Sequence, residues 1–288
     1  MTAVGHAKVL PGEVDLHMHS TASDGALAPA AVVNAAHAVG LAAIALTDHD
    51  TLGGLDEAES TAASLGIRIV PGVELSAHDG AREIHLLALH IQRRAVLEEQ
   101  LSGFRSARDV RAQKIVEKLQ RLGMRVEMDR VYEEAQGGAI GRPHVARAMI
   151  KGGHVRDSKE AFERFLGAGR PGFIPKARLE IADAIQLAHS AGAIAIWAHP
   201  GSDCRRERLE PLVKKGLDGV EVRHPSHFAE DVKRISALAD FFGLVPSGGS
   251  DWHGAPGGFR AIGSMHIPPA WLNAQDVLVA RKSAAEVA

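Results

Sequence analysis

Apolar positions in the first part of the chain fall in short runs. Residues 14–17, 42–47, 67–75 and 83–89 are rich in valine, isoleucine, leucine and alanine and read as strands, the third interrupted at Pro71-Gly72. Between them, 29–39 and 55–65 have helical spacing, the first opening on Pro29 in its first turn. After residue 179 the alternation resumes. Helices over 181–191, around 208–215 and over 228–242 alternate with strands at 193–198, 219–222 and 244–247. Strands alternating with helices predict an α/β protein with a mainly parallel sheet. Seven such strands suit a closed or nearly closed barrel, with an open doubly wound sheet as the alternative.

Residues 94–179 differ in character. Helical spacing with dense arginine, lysine and glutamate covers 98–123, and shorter helical segments follow at 129–136, 143–150 and 158–166. Gly137-Gly138, Gly152-Gly153 and the glycine-rich stretch 167–172 punctuate them. The expected organisation is therefore a barrel made of 1–93 and 180–288, with 94–179 as a helical insertion between the fourth and fifth strands.

Composition narrows the function classes. The chain has 288 residues, with 33 lysines and arginines against 35 aspartates and glutamates, a net charge of −2. So even a balance argues against coating long nucleic acid or an anionic membrane, and leaves room for a small charged substrate. The single cysteine, Cys204, excludes an intrachain disulfide and makes the cytoplasm the expected compartment. No basic-then-apolar leader opens the chain, and no apolar run nears the roughly 20 residues of a membrane span, so a soluble protein is expected. The departure is histidine: 16, against one tyrosine and three tryptophans.

Those histidines gather with carboxylates at the expected strand ends, where α/β barrels place their sites. The sets are Asp15-Leu16-His17-Met18-His19 with Ser23-Asp24-Gly25, then Thr47-Asp48-His49-Asp50, then Pro71-Gly72-Val73-Glu74. His85, His199-Pro200, His224 and Ser250-Asp251-Trp252-His253 complete them. Side chains two apart on a strand share a face, so His17 with His19, and Asp251 with His253, can reach one ion. Imidazole with carboxylate suits zinc, manganese or iron, and Glu74 can bridge two ions. Singly, each residue has an ordinary explanation: Asp48 or Asp50 suits a turn or helix cap, and Asp24, His85 or His199 a structural hydrogen bond. Jointly they do not, because burying so many ionisable groups without ions is very costly.

The ordered set HMH, SDG, TDHD, PGVE, isolated histidines and GSDWH resembles the PHP (polymerase and histidinol phosphatase) family of the amidohydrolase superfamily, over about 13–91 and 181–254. The resemblance implies a distorted seven-stranded (β/α) barrel with three divalent metal ions at its C-terminal mouth. Residue by residue, it gives His17, His19, Glu74 and Asp251 to the first metal. His85 and His199 join Glu74 at the second, and Asp24, His49 and His253 hold the third. Many members carry histidine where this chain has Asp24, so manganese is the expected ion, with zinc, iron or magnesium as alternatives. Asp48 is expected to orient a ligand. Three divalent ions, less three carboxylates and a bridging hydroxide, leave about two positive charges, which favours a phosphate monoester over a neutral amide. Attack by that metal-bridging hydroxide is the expected chemistry, with His224 protonating the leaving oxygen or, equally, orienting substrate.

Substrate selection is assigned to the insertion. Gly141-Arg142-Pro143-His144 and Phe173-Ile174-Pro175-Lys176 stand in turns; Arg142 can fork onto a phosphate, Lys176 can act as a point charge, and His144 contacts substrate or caps its helix. Phe173 stacks a base or is buried in the insertion. Trp252 is expected to point away from its flanking ligands. This combination resembles the nucleotide-directed bacterial branch of the family, whose members remove the 3′-phosphate from 3′,5′-nucleoside bisphosphates such as pAp, or trim short 5′-phosphorylated RNA from its 5′ end. The expected partner is a small nucleotide or short RNA. Histidinol-phosphate phosphatase, C–N bond hydrolysis and a degenerate, non-catalytic PHP binding module are the competing readings.

Overall fold

Seven strands form one sheet in strict chain order: β1 (Val14–Met18), β2 (Ala43–Leu46), β3 (Arg68–Asp79), β4 (Arg82–Leu89), β5 (Ile194–Trp197), β6 (Gly219–Arg223) and β7 (Val245–Gly248). They belong to a computed structural model that describes residues 9–135, 140–175, 178–254 and 260–287. Lys176, Gly137 and Gly138 lie outside the described residues. The seam between β7 and β1 is drawn together beyond the strand ends. Met18 bridges Trp252, Asp251 N donates to His17 O at 2.9 Å, and His19 N donates to Trp252 O at 2.9 Å. The result is a nearly closed α/β barrel.

Two expectations are corrected. β3 runs unbroken through Pro71-Gly72 for 12 residues. Its pairing with β2 ends at Pro71 and its pairing with β4 begins at Gly72, so the proline sits at a hand-over where a missing N–H is tolerated. The sheet is mainly parallel, as expected, but β4 runs antiparallel to both β3 and β5, which corrects the expected place of His85 at the end of its strand. Only Gly80 and Ala81 connect β3 to β4, far too few for a crossover helix. His85 therefore lies in the first half of β4, not at its C-terminal end; reversal of the strand brings that half to the mouth.

Helices α1 (Pro29–Ala38) and α2 (Leu55–Leu65) pack on each other and toward β2 and β3. Between β4 and β5 lie α3 (Arg94–Arg121), α4 (Met128–Ala135), α5 (Arg142–Lys151), α6 (Ser158–Ala161) and a π-helical turn, Phe162–Leu166. Then α7 (Ile181–Ser190) packs against β3, β4 and β5, while α8 (Arg206–Lys214) and α9 (Ala229–Phe242) follow β5 and β6. A last helix, α10 (Pro269–Val287), had no counterpart in the sequence reading. Its Leu272 joins one apolar cluster with Val14, Leu16, Ala43, Val70, Leu87, Leu89, Ile194 and Ile196. Side chains from five strands can meet in one cluster only inside the barrel, so an apolar floor underlies the polar mouth. The register of β1 slips between Asp15 and Met18, a bulge that lets Leu16 serve the floor and its neighbour His17 the mouth.

The chain divides into two compact units, Met1–Glu98 with Leu179–Ala288 and Glu99–Arg178. The second has its own core, in which Ile115, Leu119, Val131, Val145, Met149 and Leu166 are buried together. Among the described residues no helix is long and apolar enough to cross a membrane.

Candidate metal centre

Glu74, on β3 and 1% exposed, is the hub of the mouth. Its Oε2 lies 3.3 Å from His17 Nε2, 3.2 Å from His19 Nε2 and 3.2 Å from His49 Nδ1. Its Oε1 lies 2.7 Å from His85 Nδ1 and 2.9 Å from His199 Nε2. Asp251 Oδ1 faces His17, His19 and His253 at 3.5, 3.3 and 3.5 Å. Asp24 meets His253 Nε2 at 3.3 Å, with His49 Nε2 at 3.9 Å. All nine residues expected at the mouth are thus brought together from six segments of the chain. Two of them, His199 and Asp251, have φ of 32° and 49°, left-handed values that cost a non-glycine residue energy and accumulate at functional sites.

Donor atoms fall into three groups, each able to surround one cation: His17, His19, Glu74 and Asp251; His19, Asp24, His49 and His253; and His49, Glu74 and His85. The third differs from the expected trio by containing His49, while His199 still reaches Glu74. Internal hydrogen bonds do not satisfy this set. His17 Nε2 and His19 Nε2 face each other at 3.1 Å with both rings wholly buried. Nδ1 of His17 is turned to Glu221 at 3.1 Å, so a neutral ring donating there offers its Nε2 lone pair to the mouth. Nδ1 of His19 and Nδ1 of His49 are buried with no hydrogen-bond partner. Imidazole nitrogens and carboxylate oxygens crowded this closely, two of the nitrogens with no hydrogen-bond partner, fit divalent cations.

Without ions, protons on the imidazoles balance the carboxylates instead. Burial opposes ionisation of Glu74, yet the imidazoles of His17 and His49 hold its carboxyl well below the usual range. Burial likewise opposes charge on Asp251, but hydrogen bonds from His19 and His224 keep it strongly acidic. Burial works against a charged His19, but its bonds to Asp251 and Glu74 lift it to about 9. Burial drives His49 down to about 3. The mouth thus holds ionised carboxylates among imidazoles that compete for few protons.

Residues 15–112 match the PHP domain. A 3′,5′-nucleoside bisphosphate phosphatase of Chromobacterium violaceum is 36% identical over 264 residues, 89% of this chain and 93% of that protein. The chain belongs to the PHP family. A 5′-3′ exoribonuclease of Haemophilus influenzae is 36% identical over 83% of this chain and 89% of its own length. A crystal structure from Bifidobacterium adolescentis, described as a metal-dependent phosphoesterase, superposes with a TM-score of 0.78 at 28% identity, covering 93% of this chain and 96% of that one.

Around the PHP mouth stand groups to which the sequence alone gave no role. Glu221, wholly buried on β6, accepts from His199 N at 2.7 Å as well as from His17. Asp15, 1% exposed, accepts from Ser250 N at 2.9 Å and Gly263 N at 3.0 Å, tying β1 to the segment that carries Asp251. Arg260 reaches Asp251 Oδ2 at 2.5 Å. It also lines a cavity of about 400 Å³ with Glu74, His85, His199, His224, Ser226 and His253. Nothing in the local sequence marks Arg260, whereas Glu221, a carboxylate between two apolar strand residues three before His224, carried a readable signal.

Asp48, expected to orient a ligand, accepts from Ser20 N at 2.7 Å and from the hydroxyls of Ser20 and Ser23 at 2.7 and 2.6 Å. It therefore braces the turn that carries Asp24. His224 Nε2 lies 3.2 Å from Asp251 Oδ2, and Ser226 Oγ is 2.7 Å from its Nδ1; burial lowers its pKa. In the other unit, Arg142 lies between the rings of Phe162 and Phe173, 5.5 and 5.6 Å from their centroids, and donates to Leu166 O at 3.2 Å. His144 Nδ1 accepts from Gly141 N at 2.9 Å, closing the first turn of α5. Trp252 is buried against the barrel seam.

Proposed function

We propose that this chain is a metal-dependent phosphomonoesterase that removes the 3′-phosphate from 3′,5′-nucleoside bisphosphates of the pAp type, giving a 5′-mononucleotide and phosphate. The observation that carries the reading is the convergence of five imidazoles on the single carboxylate of Glu74. The Chromobacterium violaceum relative named as a bisphosphate phosphatase, collinear over most of both chains, supports the substrate class.

His17, His19, Glu74 and Asp251 would hold one ion, Glu74, His85 and His199 a second, and Asp24, His49 and His253 a third, with manganese the favoured metal. Ions held there would polarise phosphoryl oxygens and make bound water nucleophilic near neutral pH. The protein's own groups do the rest. Arg260, at the cavity wall, neutralises a phosphoryl oxygen, and Asp251 fixes its direction. His224 passes a proton to the leaving 3′ oxygen, its ring held by Ser226 and Asp251. Residues 94–179 act as a substrate cap, to which Arg142, His144 and Lys176 contribute. The buried Cys204, its thiol pushed up to about 12 by burial, suits a reducing cytoplasm.

The test is phosphate release from pAp by purified protein with manganese. Saturable release of the 3′-phosphate is expected. The Haemophilus influenzae relative favours one second reading, 5′-3′ exoribonuclease action on short 5′-phosphorylated RNA. Shortening of such oligonucleotides without phosphate release from pAp would put that reading in its place.

A further inference from the structure

Phe228 is 79% exposed, the highest value among the large apolar side chains described. It occupies the N-cap of α9, where its side chain makes no capping hydrogen bond. Serine, threonine, asparagine or aspartate at an N-cap stabilises a helix by about 1 kcal/mol relative to an apolar residue. Phe228 thus contributes to neither cap nor core, and folding gives no reason for it.

Its position does. The 224–228 segment leaves β6 at the mouth, and Ser226, two residues away, lines the same cavity as Glu74 and Arg260. The segment is rigidly held. His227 N donates to His224 O at 2.9 Å, His227 Nδ1 donates to Val222 O at 3.0 Å, and Gly201 N donates to His227 Nε2 at 3.0 Å. Phe228 N donates to Asp231 Oδ2 at 3.0 Å. The ring is therefore presented to solvent from a fixed backbone within roughly 7 Å, Cα to Cα, of a cavity-lining residue. A nucleoside whose phosphate enters the cavity carries its base only a few covalent bonds away, a span that can reach Phe228.

We infer that Phe228 is a stacking platform for the nucleobase of the substrate, so that this PHP site selects phosphate esters carrying a base over those with a bare sugar. The inference rests on the nucleotide-directed reading above. A planar π-face recognises any base, so the preference is for the presence of a base and not for its identity.

The experiment compares kcat/KM on pAp with that on ribose 3,5-bisphosphate, in manganese, for the wild type, Phe228→Ala, Phe228→Leu and Phe228→Trp. Stacking of one base on an aromatic residue predicts that Phe228→Ala lowers the pAp-to-ribose ratio by roughly 5- to 150-fold, mainly through KM. Phe228→Leu, apolar but without a π-face, should lose most of the ratio, and Phe228→Trp should keep it. Phe241→Ala, removing the other strongly exposed phenylalanine of this helix, should leave it unchanged. An unchanged ratio in Phe228→Ala overturns the inference. If the wild type ignores pAp but trims oligoribonucleotides, the proposed function fails. The ratio is then read on oligonucleotides with and without their 5′-terminal base, and decides the platform in the same way. If neither is turned over, calorimetric binding of AMP decides: fivefold or greater weakening in Phe228→Ala supports the platform, and equal affinity overturns it.

Discussion

Glu221 meets Nδ1 of His17 at 3.1 Å with both side chains wholly buried. A carboxylate behind an imidazole fixes its tautomer and rotation and raises its basicity as a ligand. Glu221→Gln keeps the shape but not the charge, and its amide cannot accept from both His17 and His199. Manganese affinity by calorimetric titration is expected to fall by about 10- to 100-fold with the fold retained. Affinity within twofold of wild type would mean that Glu221 only fills space.

The barrel seam sets a second test. A Cβ on Gly249 would lie 2.5 Å from His17 N, 2.6 Å from His17 Cβ and 2.7 Å from Asp15 Oδ1. Backbone cannot move aside as a flexible side chain can, so Gly249→Ala pushes β1 away from β7. The expected cost is about 1–3 kcal/mol, read as a Tm drop of roughly 2–10 °C in a domain of this size. Phosphate release should fall as well, because His17 moves with the strand. Gly103→Ala, on α3 with nothing within 4 Å of the new Cβ, is the control and should be neutral or slightly stabilising.

Much of this architecture could be read from the chain because buried strands are short apolar runs; β1, β2, β5, β6 and β7 lie within a few residues of their expected spans. Two features resisted. The reversal of β4 depends on a two-residue connection, and Asp79-Gly80 was its sole turn signal; apolar periodicity carries no strand direction. In α10, Trp271, Leu272, Leu278 and Val279 do recur at helical spacing, but no chemistry drew attention to them. At the mouth, residues in recognisable clusters were legible, His17 with His19 and Asp251 with His253 above all. Arg260 was not, and Asp15 stood in its cluster without a role, since the importance of both arises only from contacts across the fold, to Asp251 and to Gly263.

Metal removal should be visible as stability. Nδ1 of His19 and Nδ1 of His49 are buried without hydrogen-bond partners, and carboxylates crowd beside them, so ions that bind this set favour the folded state. At a free concentration of about 100 times Kd, a bound ion adds about 2.7 kcal/mol, or roughly 5–10 °C in Tm. Chelator-treated protein should melt lower by that amount and recover on addition of manganese. Glu74→Gln, which removes a ligand from two of the three proposed ions, should show a clearly smaller difference between the two conditions. A wild-type Tm indifferent to chelator and manganese would contradict the proposed centre.

Asp218 offers a test of pH dependence away from the mouth. Its Oδ2 accepts from His189 Nε2 on α7 at 2.7 Å and from Ala195 N on β5 at 2.9 Å, and Lys282 on α10 pairs with Oδ1. Burial opposes its charge, but the bonds from His189 and Lys282 hold its carboxyl below the usual range. A carboxyl depressed by folding stabilises the native state above its unfolded pKa, and that contribution disappears as pH falls through the folded value. Asp218→Asn keeps the size and the oxygen that accepts from His189 and Ala195, but loses the charge and the pairing with Lys282, so it should cost about 1–3 kcal/mol near neutrality. Urea midpoints of wild type and variant should differ most above about pH 5 and converge below about pH 3. A gap of the same size at both ends would show that Asp218 acts through shape and hydrogen bonding alone, independent of its charge.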